Sequence, residues 1–181
     1  MTKINIEDNI LDKKNLNKIQ QMLTGPSGLP WYYNDAIVYK DDIDKFQFVH
    51  FFYKRNNDSL DLTLTGSAGH SQFIKQLNCI LELIQPVSLW RIKANLLART
   101  PNIVENAFHV DMSNASEEKL KQWTTSIFYV NTNNGYTKFE DGTKVESVAN
   151  RMVTFPANMK HRGTSCTDKR IRVIINFNYF K

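Results

Sequence analysis

Leu16, Ile19, Met22 and Leu23 recur at helical spacing up to the Gly25-Pro26-Ser27-Gly28 break, which predicts one amphipathic helix near the N-terminus. A second helix is predicted from about Ser71, where Phe73, Leu77, Ile80, Leu81 and Ile84 follow the 3.6-residue period and Pro86 stands just past its end. Elsewhere the pattern is that of strands: DAIVY from Asp35, FQFVHFFY from Phe46, LWRIKANLL from Leu89, TSIFYVN from Thr125, RMVTFP from Arg151 and RVIINFNYF from Arg172. Asn134-Gly135 and Asp141-Gly142 accept positive φ at little cost, so both predict tight hairpins. Helices first and many short strands after them predict an α+β domain whose body is an antiparallel sandwich or jelly roll. Residues 1–88 then supply supporting helices and strands, and 89–181 the core.

Composition narrows the class. At 181 residues the chain fits one domain, and 41% hydrophobic with 23% charged residues argues against disorder. No apolar run reaches the roughly 18–20 residues that a bilayer demands, and MTKINIEDNILDKK has no signal-peptide core, so a cytoplasmic protein without a membrane partner is expected. Cys79, in a predicted helix, and Cys166, in a predicted loop, are too few for a disulfide framework or a four-cysteine zinc site. The net charge of +5 is scattered without a basic run, which gives nucleic acid little claim as a partner.

Four histidines are available for chemistry: His50, His70, His109 and His161. Only His109 has a carboxylate two places on, and in an extended segment His109 and Asp111 share a face within reach of one ion. His161, between RMVTFP and the last strand, can return beside them as a third ligand in an antiparallel fold. Two histidines and a carboxylate leave positions open on an octahedral iron(II) ion, and a zinc hydrolase could use a similar set. With 18 acidic residues in 181, a chance His-x-acid is common, so the tripeptide gains meaning only in company with His161 and an arginine further along the chain.

In the last strand, Arg170, Arg172, Ile174 and Asn176 alternate onto one face. A guanidinium on an otherwise apolar strand requires a partner, and a dicarboxylate matches its fork. The plainer reading is that both arginines keep an exposed edge soluble.

From about Trp90 to Tyr179 the sequence resembles the 2-oxoglutarate and iron(II)-dependent oxygenases, within them the prolyl 4-hydroxylase-like group with its small microbial and phage-encoded members. The likeness lies in HVD, SIFYVN, NNGYTKFEDG, NRMVTFP, KHRGTS and RVIINF, in that order. It implies a double-stranded β-helix, iron held by His109, Asp111 and His161, and the far carboxylate of 2-oxoglutarate held by Arg172, with Arg170 as the alternative. Prolyl 4-hydroxylases proper often have lysine there, so arginine points to the broader group. Tyr129 and Thr137 resemble polar residues of the co-substrate pocket; Asn95 could face the metal, and Leu97 stands where the family often has tyrosine. The implied reaction consumes 2-oxoglutarate and O2, with ascorbate as a reductant, releases succinate and CO2, and hydroxylates a C–H bond. The implied target is a prolyl or other side chain of a protein or peptide. Demethylation of alkylated bases, a cupin-like zinc or manganese enzyme, and a non-enzymatic β-sandwich binding module are the competing readings. Loops 25–31, 66–70 and 113–122 are expected over the pocket mouth; the substrate-binding residues and the oligomeric state are left open.

Overall fold

A computed structural model describes residues 4–38, 45–55, 70–112 and 115–181. The chain runs β1 (Asn5–Asp8), α1 (Lys13–Thr24), β2 (Tyr32–Asn34), β3 (Gln47–Lys54), a 3-10 turn (Ile74–Leu77), α2 (Asn78–Ile84) and β4 (Ser88–Ala98). It continues through α3 (Glu117–Gln122), β5 (Thr124–Tyr129), β6 (Tyr136–Phe139), β7 (Lys144–Glu146), β8 (Arg151–Pro156), β9 (His161–Gly163) and β10 (Ile171–Phe180). Seven strands form one antiparallel sheet in the order β1-β8-β5-β10-β4-β3-β2, and three form a second, β7-β6-β9. Residues 104–109 extend the small sheet along β9: Asn106 N donates to Gly163 O, Ser165 N to Val104 O, and His109 and His161 exchange two backbone bonds, all at 3.0 Å.

The central strand β10 explains the layering. Val173, Ile175, Phe177 and Tyr179 face one way into a core with Ile19 and Leu23 of α1, Leu77, Ile80 and Ile84. Arg172, Ile174 and Asn176 face the other way, toward the small sheet. Both faces are buried, so the strand reads as a nearly unbroken apolar run with polar residues only on the cavity side. β4 copies the device, with Ile92 and Ala94 under the helices and Lys93, Asn95 and Leu97 in the cavity. Between the sheets, Ile127, Tyr129, Val153, Phe155 and Ile174 meet Phe139 and Val145 in a second core. These two facing sheets with a cavity between them make the predicted jelly roll. Among the described residues no helix is long and apolar enough to cross a membrane.

The helix-forming signals hold with adjusted ends. Asp12 caps α1 by accepting from Asn15 N at 2.8 Å, and Gly25 ends it. The second helix begins three residues later than the periodicity from Ser71 implies, as a 3-10 turn, and stops where Gln85 turns left-handed ahead of Pro86.

Two expectations are corrected. No strand occupies residues 35–38; Asn34 Nδ2 and Gln47 Nε2 both donate to Ala36 O, so side-chain amides take the carbonyl that a strand ladder would use, and Tyr39 lies outside the described residues. Asp141-Gly142 does make the β6–β7 hairpin, with Gly142 at φ 90°. Asn134-Gly135 instead carries the chain from β5 in the large sheet to β6 in the small one. Gly135 is needed there for space: a Cβ would sit 2.7 Å from both Arg172 Cδ and Ser165 O.

Candidate metal centre

His109 and His161 face each other across a backbone-bonded pair, which sets their rings 4.9 Å apart between centroids. The chain turns at Asp111 and brings its Oδ1 to 3.8 Å from His109 Nε2. One ligand atom from each of His109, Asp111 and His161 lies within 4.8 Å of the other two, close enough to share one ion. The ring orientations are fixed from behind. His109 Nδ1 lies 3.1 Å from Ala107 O and His161 Nδ1 3.3 Å from Met159 O. A carbonyl only accepts, so each Nδ1 carries a hydrogen, which leaves Nε2 as the nitrogen available to an ion.

Charge is arranged to the same end. Burial alone would raise the Asp111 carboxyl, but Arg91 foremost, then the imidazoles and the Asn178 amide, outweigh it and hold the group well below the usual carboxylate range. Arg91 Nη2 stands 3.0 Å from Asp111 Oδ1, an ion pair by distance though outside hydrogen-bond geometry. Asn178 Nδ2 donates to Oδ2 at 3.0 Å, and Asn176 Nδ2 approaches both oxygens at 3.3 and 3.4 Å. Burial pushes the His161 imidazole down to about 4, so it is neutral at physiological pH. Two imidazoles and an ionised carboxylate are a donor set that fits a divalent ion.

Arg172 opens the far part of the same cavity and is 1% exposed. Its Nε donates to Ser147 Oγ at 2.8 Å, Nη2 approaches Thr137 Oγ1 at 3.5 Å, and the guanidinium lies 5.8 Å over the Tyr129 ring. No carboxylate pairs with it among the described residues. Burial without a partner lowers its pKa, which is the state expected of a cation whose anion arrives as ligand. Thr137 lines the cavity, whereas the Tyr129 hydroxyl, fully buried, donates to Thr137 Oγ1 at 2.8 Å and so stands one step behind. Arg170 is exposed outside β10 and does not line the cavity. Asn95 and Leu97 both line it.

The other histidines serve structure: His50 bonds Pro30 O and Ser71 Oγ at 2.8 Å, and His70 is exposed in a bridge to Tyr53. Loop 25–31 does not cover the mouth. Gly25 to Leu29 line a groove with α1, Phe73 and Gln76, and Leu29 is buried in the core on the helix side of the large sheet. Residues 66–69, 113 and 114 of the other two loops lie outside the described residues. The sequence reading missed Arg91 and Asn178, which act on Asp111, and Lys93, Gln47 and Asn106, which line the cavity. The alternation Arg91-x-Lys93-x-Asn95 was the available signal. Lys93 is half-buried by area but enclosed at its ammonium end; burial, with Arg91 adding to it, pushes that group down to about 7.

No family model matches this sequence, and no curated protein matches it. Solved structures do. A prolyl hydroxylase from Trichoplax adhaerens, in complex with a peptide fragment of the hypoxia inducible factor oxygen degradation domain, superposes with a TM-score of 0.63 at 14% identity, over 98% of this chain and 83% of that one. A Pseudomonas putida prolyl-4-hydroxylase gives 0.56 at 12% identity, over 100% and 94%. The chain shares the fold of these hydroxylases. The epimerase SnoN, in complex with Fe3+, alpha ketoglutarate and nogalamycin RO, shares it with a TM-score of 0.62 at 11% identity, over 98% and 78%. Within this shared fold the candidate metal ligands and Arg172 border one cavity between the two sheets.

Proposed function

We propose that the chain is an iron(II)- and 2-oxoglutarate-dependent dioxygenase that hydroxylates a substrate C–H bond and releases succinate and CO2. One observation carries the reading: a cavity that holds two imidazoles and a carboxylate within reach of one ion also holds a buried arginine with no carboxylate partner among the described residues. His109, Asp111 and His161 would hold the iron, which when bound supplies the oxidation of a C–H bond coupled to decarboxylation of the 2-oxo acid. Three protein ligands leave half an octahedron for exchangeable ones. Arg172 pairs with the far carboxylate of 2-oxoglutarate, Thr137 adds a hydroxyl, and Ser147 and Tyr129 hold those two in place. Asp111 stays ionised through Arg91 and Asn178, and the two Nδ1–H bonds keep both imidazoles aimed inward. Leu97, Ile127 and Ile174 give the cavity an apolar wall that limits water around the reacting groups.

A prolyl or other side chain of a protein or peptide is the proposed target. The support is the company the fold keeps: two of the similar structures are prolyl hydroxylases, one of them in complex with a peptide. The test is succinate release from 2-oxoglutarate with iron(II). Wild type releases succinate; His109→Ala and Asp111→Ala fall to background. Arg172→Ala raises the KM for 2-oxoglutarate by about tenfold or more, and Arg170→Ala leaves it unchanged. Wild type without iron-dependent succinate release, or an Arg172→Ala protein with normal KM, would overturn the reading. Product then shows as a gain of about 16 daltons on the substrate, one inserted oxygen atom.

A further inference from the structure

Lys93 has no role in the reaction as proposed, yet it lines the same cavity. Its strand partner across β4 and β10 is Asn176, whereas Arg172 pairs with Leu97. Their backbone positions therefore stand four residues apart, roughly 13–14 Å along the strand direction. A five-carbon diacid gripped by Arg172 has its other end at the metal in the proposed function. Neither carboxylate of the co-substrate is then assigned to Lys93.

Around Lys93 the described residues offer no free anion. Arg91 on the same strand is a second cation, already set against Asp111 at 3.0 Å, and the ring of Phe51 lies 5.9 Å from the Lys93 ammonium. Among the described residues, with a divalent ion balanced by a dianionic co-substrate and Arg91 balanced by Asp111, the cavity keeps the positive charges of Arg172 and of protonated Lys93. A substrate that enters this site gains by bringing negative charge. Asn176 adds a second requirement. Its Nδ2 is turned to the Asp111 oxygens, which fixes the amide orientation, and its Oδ1 is buried with no partner. An orphan acceptor beside an unpaired ammonium fits a carboxylate with an N–H, O–H or ammonium donor nearby. Among the described residues only one ammonium is uncommitted there, which suits a monoanion better than a phosphate dianion.

We infer that Lys93 is a specificity-determining residue that receives a carboxylate of the prime substrate at the metal end of the cavity, with Asn176 Oδ1 accepting from a donor on the same molecule. The inference rests on the function proposed above and names its substrate class: a free amino acid, the C-terminal residue of a peptide, or an acidic side chain beside the target carbon.

The test is calorimetric binding to the full chain loaded with zinc in place of iron and with 2-oxoglutarate, so that no turnover is needed. Three acids are compared with their amides: L-proline with L-prolinamide, glycyl-L-proline with its amide, and N-acetyl-L-aspartate α-methylamide with its asparagine counterpart. At least one acid is expected to bind about tenfold or more tightly than its amide, and which pair does so identifies the source of the carboxylate. Lys93→Met, which keeps length and removes charge, brings that preference below about threefold; Lys93→Arg retains it; 2-oxoglutarate affinity stays within about twofold in both. The inference is overturned if no acid is preferred, if the preference survives in Lys93→Met, if inorganic phosphate outcompetes every acid, or if Lys93→Met weakens 2-oxoglutarate about tenfold. Failure of the oxygenase reading looks different: wild type then binds no 2-oxoglutarate and releases no succinate, while the acid and amide pairs are still compared on the zinc-loaded protein.

Discussion

Asp111 is a carboxylate kept charged where burial opposes charge, and the residues that keep it so are as consequential as the proposed ligand itself. Asn178 Nδ2 divides its two hydrogens between Asp111 and Thr125 Oγ1, each at 3.0 Å. Asn178→Ala should lower iron(II) affinity by about 10–100-fold, measured by metal titration, because the carboxylate loses the donor that orients it. His161 makes the metal-free protein sensitive to acid. Its folded value of about 4 lies below the ordinary 6.5, so the unfolded chain binds the proton first and stability is lost as pH falls from about 6.5 to about 4. The loss should approach roughly 3 kcal/mol in denaturant titrations, with no contribution from this group above pH 7. His161→Gln should flatten that slope. At this scale the sequence showed the HVD tripeptide, His161 and Arg172. It could not show that Arg91 and Asn178 converge on Asp111, because that depends on which residues β4 and β10 place side by side.

Among the elements, β10 unites core and cavity, and its two faces separate stability from binding. Phe177→Ala, on the helix side, should cost about 3–5 kcal/mol by leaving a cavity, read as a lower denaturation midpoint. The folded fraction of that variant should keep its affinity for 2-oxoglutarate. The crossover at Asn134-Gly135 does the reverse. A methyl at Gly135 meets Arg172 Cδ and Ser165 O at 2.7 Å, so Gly135→Ala should displace the guanidinium and weaken 2-oxoglutarate several-fold, seen in KM. The long strands were legible because β3, β4 and β10 run for eight to eleven residues, long enough for a stretch rich in apolar and aromatic residues to register. β7 and β9 have three residues each, too few for a period to register, and β9 is placed by its pairing with β6 and the 104–109 segment. Asn134-Gly135 has the composition of a hairpin, but its job is set by Arg172, far along the chain, which local turn chemistry does not encode.

Two sheets close over a polar pocket while the outer face of the larger one is sealed by helices, and this division lets one chain hold both a dry core and a charged site. At 11–14% identity to the similar structures the fold persists through burial pattern rather than shared residues. The jelly roll could be read from strand count and turn chemistry, but the place of the cavity could not, since it arises where β4 and β10 face β6 and β9. The central claim is that three ligands and one arginine hold iron(II) and 2-oxoglutarate together in this space. Anaerobic titration of the iron(II)-loaded protein with 2-oxoglutarate tests it most directly. The account predicts a visible charge-transfer band that saturates at one 2-oxoglutarate per chain and is absent in Asp111→Ala. A protein that takes up no stoichiometric iron(II), or develops no band as 2-oxoglutarate is added, would contradict it.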